Sequence, residues 1–267
     1  MGRERPATGL DDALAGRSED DDLWIRRFHP SPDGAVPLVC FPHAGGSANA
    51  YFALSAALSP SVEVLAVQYP GRQDRRWEAP GRTVAELADA VTAALADRPG
   101  RPVALFGHSM GGAIAFEVAR RLEARDRAPV ALFVSGRRAP SRHREALGAE
   151  PPTDEEIVAE LKRLGGTDAA VLGDAALMRM LLPVVRADYR VAGTYRGEPG
   201  AAVGCPLTVL VGDRDPETTI EEAGAWRAHT TGAFGVRVCP GGHFFIEANQ
   251  PEVIGVIADV LLPVGGA

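Results

Sequence analysis

Lysine is nearly absent from this 267-residue chain: Lys162 is the only one, and arginine supplies the other 27 of the 28 basic residues. That skew reads as coding bias rather than as an arginine-built recognition surface. An excess of positive charge is also missing, since 35 acidic residues leave the chain at −7. A compact basic nucleic-acid binder is thereby excluded. Cysteine is scarce: Cys40, Cys205 and Cys239 are an odd number and form no C-x-x-C pair. Neither a disulfide scaffold nor a zinc knuckle is expected, and a reducing, cytoplasmic setting fits best. Residues 1–22 lack the apolar stretch of a signal peptide, and Pro6 stands where myristoylation needs Ser or Thr. They read as a disordered extension ahead of one domain over residues 23–262. A long uninterrupted apolar run is absent too. The 29 uncharged residues from Gly34 to Val62 are broken by Pro37, Pro42, Gly45, Gly46 and Asn49, which suits a buried strand, a loop and a helix better than a membrane span.

What is present is an ordinary globular composition, 46% hydrophobic and 24% charged, with 30 glycines and 21 prolines in no repeat, so they mark turns. Short apolar runs recur at Val36–Phe41, Val62–Tyr69, Val103–Phe106, Val130–Val134, Leu207–Val211 and Val236–Cys239. Between most of them lie helical spacings, such as Val84, Leu87, Ala88, Val91 and Leu95, or Ile114, Val118 and Leu122. This βαβα alternation predicts an α/β protein with a mostly parallel, doubly wound sheet. One connection breaks the rhythm, because 72 residues separate Val134 from Leu207. An insertion at about residues 140–196 is expected, opening with a helix start at Pro151-Pro152-Thr153-Asp154-Glu155-Glu156 and holding a second helix from Asp174 towards Tyr189.

Gly107-His108-Ser109-Met110-Gly111 fits G-x-S-x-G, a weak match in so glycine-rich a chain until its context is added. A strand ends at Gly107 and a helix follows, which is the strand-turn-helix elbow that presents a nucleophilic serine; the alternative is that Ser109 merely caps the helix. A serine needs a base, and the base needs an orienting acid. Asp213 and Asp215 follow one core strand and His243 the next, both at carboxyl ends of strands and in the chain order Ser, Asp, His. Asp215 is favoured over Asp213, which sits one residue after the glycine closing the strand and could serve the turn. His43 competes with His243 as base. His29, His143 and His229 read as exposed, and His108 as fixed inside the elbow. The loop Phe41-Pro42-His43-Ala44-Gly45-Gly46 can aim backbone N–H groups at an oxyanion, Ala44 together with Met110 being the expected donors.

With these residues in hand, the chain over about residues 24–262 resembles a type II thioesterase, a discrete α/β-hydrolase of polyketide or nonribosomal peptide assembly lines. The resemblance rests on the loop at Phe41–Gly46, on Gln68-Tyr69-Pro70-Gly71-Arg72, the elbow through Gly112, Gly212-Asp213-Arg214-Asp215-Pro216, Gly241-Gly242-His243-Phe244-Phe245, and Leu182–Tyr189. It implies an α/β-hydrolase fold with a helical lid, a triad of Ser109, Asp215 and His243, and oxyanion donors Ala44 and Met110. It further implies hydrolysis of acyl groups held on the phosphopantetheine thiol of acyl or peptidyl carrier proteins, with no metal or organic cofactor. Clearing stalled acyl units is the expected task, with product or starter release as the alternative and a general carboxylesterase or lipase as the rival class. Carrier proteins are the expected partners of a monomer that engages neither nucleic acid nor membrane. Leu177, Met180 and Leu181 are candidates for the lid face lining a substrate channel, the other reading being packing alone. Arg72, Arg75 and Arg76 are candidates for carrier docking, or simply a solvated loop.

Overall fold

A computed structural model describes residues 23–32, 35–96, 101–142 and 152–262 of the chain. Six apolar runs become the parallel strands β2 (Val36–Phe41), β3 (Val62–Val67), β4 (Ala104–His108), β5 (Ala131–Ser135), β6 (Leu207–Gly212) and β7 (Phe234–Cys239). A seventh strand, β1 (Ile25–Arg26), pairs antiparallel with β3 at the edge, giving the order β1-β3-β2-β4-β5-β6-β7. Sequence reasoning missed β1, because two residues carry no alternation to read. Residues 35–62 of that uncharged stretch hold β2, a turn, α1 (Phe52–Leu58) and the first residue of β3.

Alternation along the strands feeds two separate cores. Val39, Phe41 and Leu105 face α2 (Val84–Ala96) and α3 (Met110–Glu123), while Leu38, Cys40 and Phe106 face α1 and α9 (Gln250–Leu261). Burial of each large apolar side chain there is worth about 1.5–3 kcal/mol, which is what holds helices against both faces of the sheet.

The connection between β5 and β6 carries α4 (Asp154–Leu164), α5 (Ala169–Gly173) and α6 (Ala175–Thr194). Thr153 and Glu156 close a capping box at α4, as the sequence suggested, and Asp174 caps α6 by accepting from the N–H groups of Ala176 and Leu177. Ile157 and Leu161 of α4 pack with Met178, Leu182 and Val185 of α6 in a small cluster of their own. Further along α6, Val191 enters the main core, so this one helix joins the insert to the sheet. Residues 1–22, 143–151 and 263–267 lie outside the described residues, and with them the expected extension and His143.

Register sets the site. The chain steps outward from β2 to β3 and returns on the other side of β2 to β4, so the winding reverses between β2 and β4. Crevices form at such a reversal, beyond the carboxyl ends of the strands. Phe41 pairs with Gly107 there, placing the loop after β2 beside the turn after β4. Gly212 pairs with Cys239 two strands away, bringing the loops that carry Asp215 and His243 together. α7 (Ile220–Gly224) and α8 (Phe245–Ala248) follow those two loops.

Candidate active site

Ser109 sits between β4 and α3 at φ 55° and ψ −116°, a strained conformation for a residue with a side chain. Its neighbours must be glycine. A Cβ at Gly107 would lie 2.2 Å from the Gly111 carbonyl oxygen, and one at Gly111 would lie 2.0 Å from that of Phe41. Ser109 N–H donates to the Ser135 carbonyl at 2.8 Å, fixing the turn against β5. Its hydroxyl makes no capping bond to α3, so the capping alternative fails.

The hydroxyl lies instead 3.0 Å from Nε2 of His243, whose Nδ1 is 3.0 Å from each oxygen of Asp215. A carboxylate can only accept, so Nδ1 carries the proton and Nε2 is left to accept from Ser109. Both His243 and Asp215 are buried. Asp215 is itself held, accepting the Glu217 N–H at 2.8 Å, while the Glu217 carboxylate bridges Arg138 and, on α4, Arg163. Asp213 stands outside this chain. It accepts the Gly241 N–H at 2.7 Å and so ties the β6 loop to the loop bearing His243.

The other histidines separate cleanly. His43 packs edge-on to Phe244, with ring centres 4.8 Å apart, and 5.9 Å from His108. Burial, then the fields of His243 and Arg72, push His43 down to about 4, so it is neutral at pH 7. His108 is held well below its ordinary value by burial, then by His243 and His43; its Nδ1 meets the Ser135 hydroxyl at 3.0 Å and no described polar atom meets its Nε2. Against expectation, His229 is buried, with Nδ1 2.7 Å from the Ala201 carbonyl oxygen and Nε2 2.9 Å from the Ser141 hydroxyl. His29 is part-buried against Ser55.

Competing nucleophiles are weak, because burial pushes the thiol of Cys205 up to about 12 and that of Cys239 to about 11, and raises Cys40 as well. Among the described residues no group of three His, Cys, Asp or Glu side chains is placed to hold a metal ion. No described helix is long and apolar enough to cross a membrane.

Met110 is the first residue of α3, so its N–H has no intrahelical acceptor and points outward at the positive end of the helix. Ala44 lies in a turn closed by the Gly46 N–H on the His43 carbonyl at 3.0 Å. On the insert, Leu177 is 43% and Met180 67% exposed, and Leu181 is half-buried. None of the three belongs to the packed cluster, which closes the packing reading for Leu177 and Met180. A cavity of about 310 Å³ opens beside His43, lined by Tyr51, Leu54, Phe106, Ile246 and Val253.

Both readings of the arginine loop fail for two of its members. Arg72 is buried on Asp188 of α6; Arg75 is buried over the Trp24 ring at 4.3 Å and donates to the Gln68 carbonyl at 2.9 Å. Only Arg76 is exposed, stacked on Trp77. Asp188 and Glu217, with the Arg138 and Arg163 that hold Glu217, are polar residues near the site that sequence reasoning did not single out. The segments carrying Arg72 and Asp188 had nevertheless been marked by the family resemblance.

A family model described as "Thioesterase domain" matches residues 36–261. The chain is 49% identical over 251 residues to Thioesterase PikA5 of Streptomyces venezuelae, covering 93% of this chain and 89% of that protein. It is 35% identical over 232 residues to the gramicidin S biosynthesis protein GrsT of Aneurinibacillus migulanus, covering 86% and 91%. Among solved structures it is similar to the type II thioesterase BorB from the borrelidin biosynthetic cluster, with a TM-score of 0.84, 49% identity, and 90% and 98% of the two chains covered.

Proposed function

The chain belongs to the thioesterase domain family, whose type II members are serine hydrolases, and from that premise we propose that it clears acyl groups from the phosphopantetheine thiol of carrier proteins by a Ser109–His243–Asp215 triad. The observation that carries this reading is the continuous chain of hydrogen-bond distances from Asp215 through His243 to the Ser109 hydroxyl, 3.0 Å at each step. Its similarity to proteins named for gramicidin S and borrelidin biosynthesis supports carrier-bound acyl or peptidyl units as the substrate class.

Ser109 Oγ attacks the thioester carbonyl while His243 Nε2 takes the hydroxyl proton, and Asp215 stabilises the resulting imidazolium. The N–H groups of Ala44 and Met110 receive the oxyanion. As the tetrahedral species collapses, the C–S bond breaks and His243 returns the proton to the departing thiolate, a good leaving group whose thiol has a pKa of about 8.5. Water then attacks the acyl-Ser109 ester, its proton passing to His243, and collapse frees the acid and the serine. Neither a metal nor an organic cofactor enters any step. The insert α4–α6 acts as a lid: Gly166, between α4 and α5, lies so close to Phe244 that a Cβ there would sit 2.4 Å from the ring, and Val185 of α6 lies against the Gly45 loop. The carrier stays outside while its long arm reaches beneath. Three buried free thiols suit a cytoplasmic enzyme, and carrier proteins are the partners of the proposed monomer.

Ser109→Ala should lower turnover by several orders of magnitude, on the order of 10⁴-fold or more, with an unchanged melting temperature. Mass spectrometry of the protein after mixing with an acyl-carrier thioester should find the acyl group on Ser109. An adduct on another residue, or full turnover by the variant, overturns the assignment. Comparing acyl-carrier thioesters with oxygen esters and free thioesters separates a carrier-directed enzyme from a general esterase.

A further inference from the structure

One ion pair in the molecule lies far from the triad in sequence yet against the loop that carries Ala44. Asp188, on α6, is 1% exposed in its side chain and Arg72 only 7%. Arg72 donates from Nη1 to Asp188 Oδ2 at 2.7 Å and from Nη2 to Oδ1 at 2.9 Å, a two-pronged pairing. Asp188 Oδ2 also accepts the Gly45 N–H at 2.7 Å, and Arg72 Nη1 donates to the Gly46 carbonyl at 3.0 Å. Gly45 has φ +78°, and a Cβ there would meet Val185 Cγ2 at 2.9 Å, so backbone and helix are in close contact.

Stability alone is a poor reason for such a pair. Taking two charges out of water costs several kcal/mol each, and well-packed apolar side chains in the same space are often as stable or more so. Geometry is the better reason. A peptide unit is planar, with N–H and C=O pointing oppositely. The plane holding the Ala44 N–H also holds the His43 carbonyl, which the Gly46 N–H engages at 3.0 Å. The next plane holds the Gly45 N–H, which Asp188 engages. Both peptide planes flanking the Ala44 Cα are therefore fixed, one from within the loop and one from α6.

We propose that Asp188, braced by Arg72, is a positioning residue that aims the Ala44 N–H at the oxyanion and makes that aim depend on the seating of α6. This rests on the reading of Ser109 as nucleophile and Ala44 as donor. A displacement of α6 then weakens oxyanion stabilisation without touching the triad.

The test uses the full chain, a propionyl thioester of N-acetylcysteamine as substrate, and a trifluoromethyl ketone of similar length as a probe. In that probe Ser109 Oγ bonds to the ketone carbon, its proton goes to His243, and the former carbonyl oxygen becomes the bound oxyanion. Four variants are compared per mole of folded protein: Asp188→Asn, Asp188→Ala, the double variant Arg72→Met with Asp188→Leu, and Ser109→Ala. The double variant removes both charges, so no lone buried charge is left to unfold it. Its kcat should fall about tenfold to a hundredfold, in keeping with a weakened oxyanion contact. KM should stay within about twofold, and ketone affinity should fall by the same factor as kcat. Asp188→Asn keeps an oxygen for the Gly45 N–H and should recover most of what Asp188→Ala loses. Unchanged kcat in the double variant, equal losses in the Asn and Ala variants, or ketone affinity that does not follow kcat would each overturn the proposal. If Ser109→Ala stays active, the serine reading falls instead; if it is dead while the double variant is fully active, only the role of Asp188 falls.

Discussion

The two halves of the site are built in different ways. The half proposed to move the proton comes from adjacent loops: β6 and β7 are hydrogen-bonded neighbours, and Asp215 and His243 need only follow them to meet. The half proposed to hold the oxyanion takes its loop from β2, its arginine from the loop after β3 and its carboxylate from α6, with Asp188 143 positions after Gly45. Chemistry that depends on neighbouring strand ends is fixed by the sheet. Chemistry that depends on an inserted helix inherits that helix's freedom to move, so the first half should be robust and the second adjustable.

The sharpest way to break this contrast is within the robust half, where two aspartates lie two residues apart on the same loop. Asp215→Asn replaces an acceptor-only group with an amide that no longer dictates which ring nitrogen of His243 carries the proton, and kcat should fall by about 10⁴-fold. Asp213→Asn keeps an oxygen for the Gly241 N–H and should cost less than about tenfold, seen mainly as a small drop in melting temperature. Steady-state kinetics on the two variants decide the matter. A larger kcat loss for Asp213→Asn would transfer the role to that residue.

How far each half was legible in the sequence follows the same division. Ser109, Asp215 and His243 could be placed because each follows an apolar strand run, and strand ends collect on one edge of a parallel sheet. The fold was legible for the same reason, β1 excepted. Arg72 and Arg75 were misjudged because polar, arginine-rich loop sequence looks solvated; what buries them is Asp188, from a helix 116 residues after Arg72, and Trp24, ahead of the first core strand. His229 was misjudged likewise, since its partners Ala201 and Ser141 lie in other segments. Long-range polar pairing leaves no periodicity, so only the family resemblance of Gln68–Arg72 and Leu182–Tyr189 hinted at it.

Acid should expose the difference between the halves in a second way. His43 lies in the loop after β2 and is pushed down to about 4 by burial first, then by His243 and Arg72, against about 6.5 in the unfolded chain. Between those values the unfolded chain binds a proton that the folded one refuses. Stability is therefore full above about pH 6.5 and declines as pH falls towards 4, by up to about 3 kcal/mol from this residue. His43→Phe, similar in shape and unable to charge, should flatten that part of the denaturation profile between pH 7 and 4. Parallel profiles for the two proteins would show that the loop accepts the proton without penalty.

The smallest effect tests whether α6 also selects the acyl chain. At 100° per residue, Leu177 and Leu181 fall within about 20° of Asp188 on the helix surface, whereas Met180 falls about 80° away. The first two thus share the face of α6 that carries Asp188, and Met180 lies off it. Leu177 is 43% exposed and outside the packed cluster, so enlarging it fills space rather than disturbing a core. Leu177→Trp and Leu181→Trp should lower kcat/KM for long acyl chains about tenfold while sparing acetyl and propionyl groups, because exclusion grows with length. Met180→Trp should change neither. Melting temperatures measured alongside keep folding losses apart from steric ones. A loss equal at every chain length, or one as large for Met180→Trp, would mean that α6 positions the oxyanion loop but leaves the choice of acyl group to other walls of the cleft.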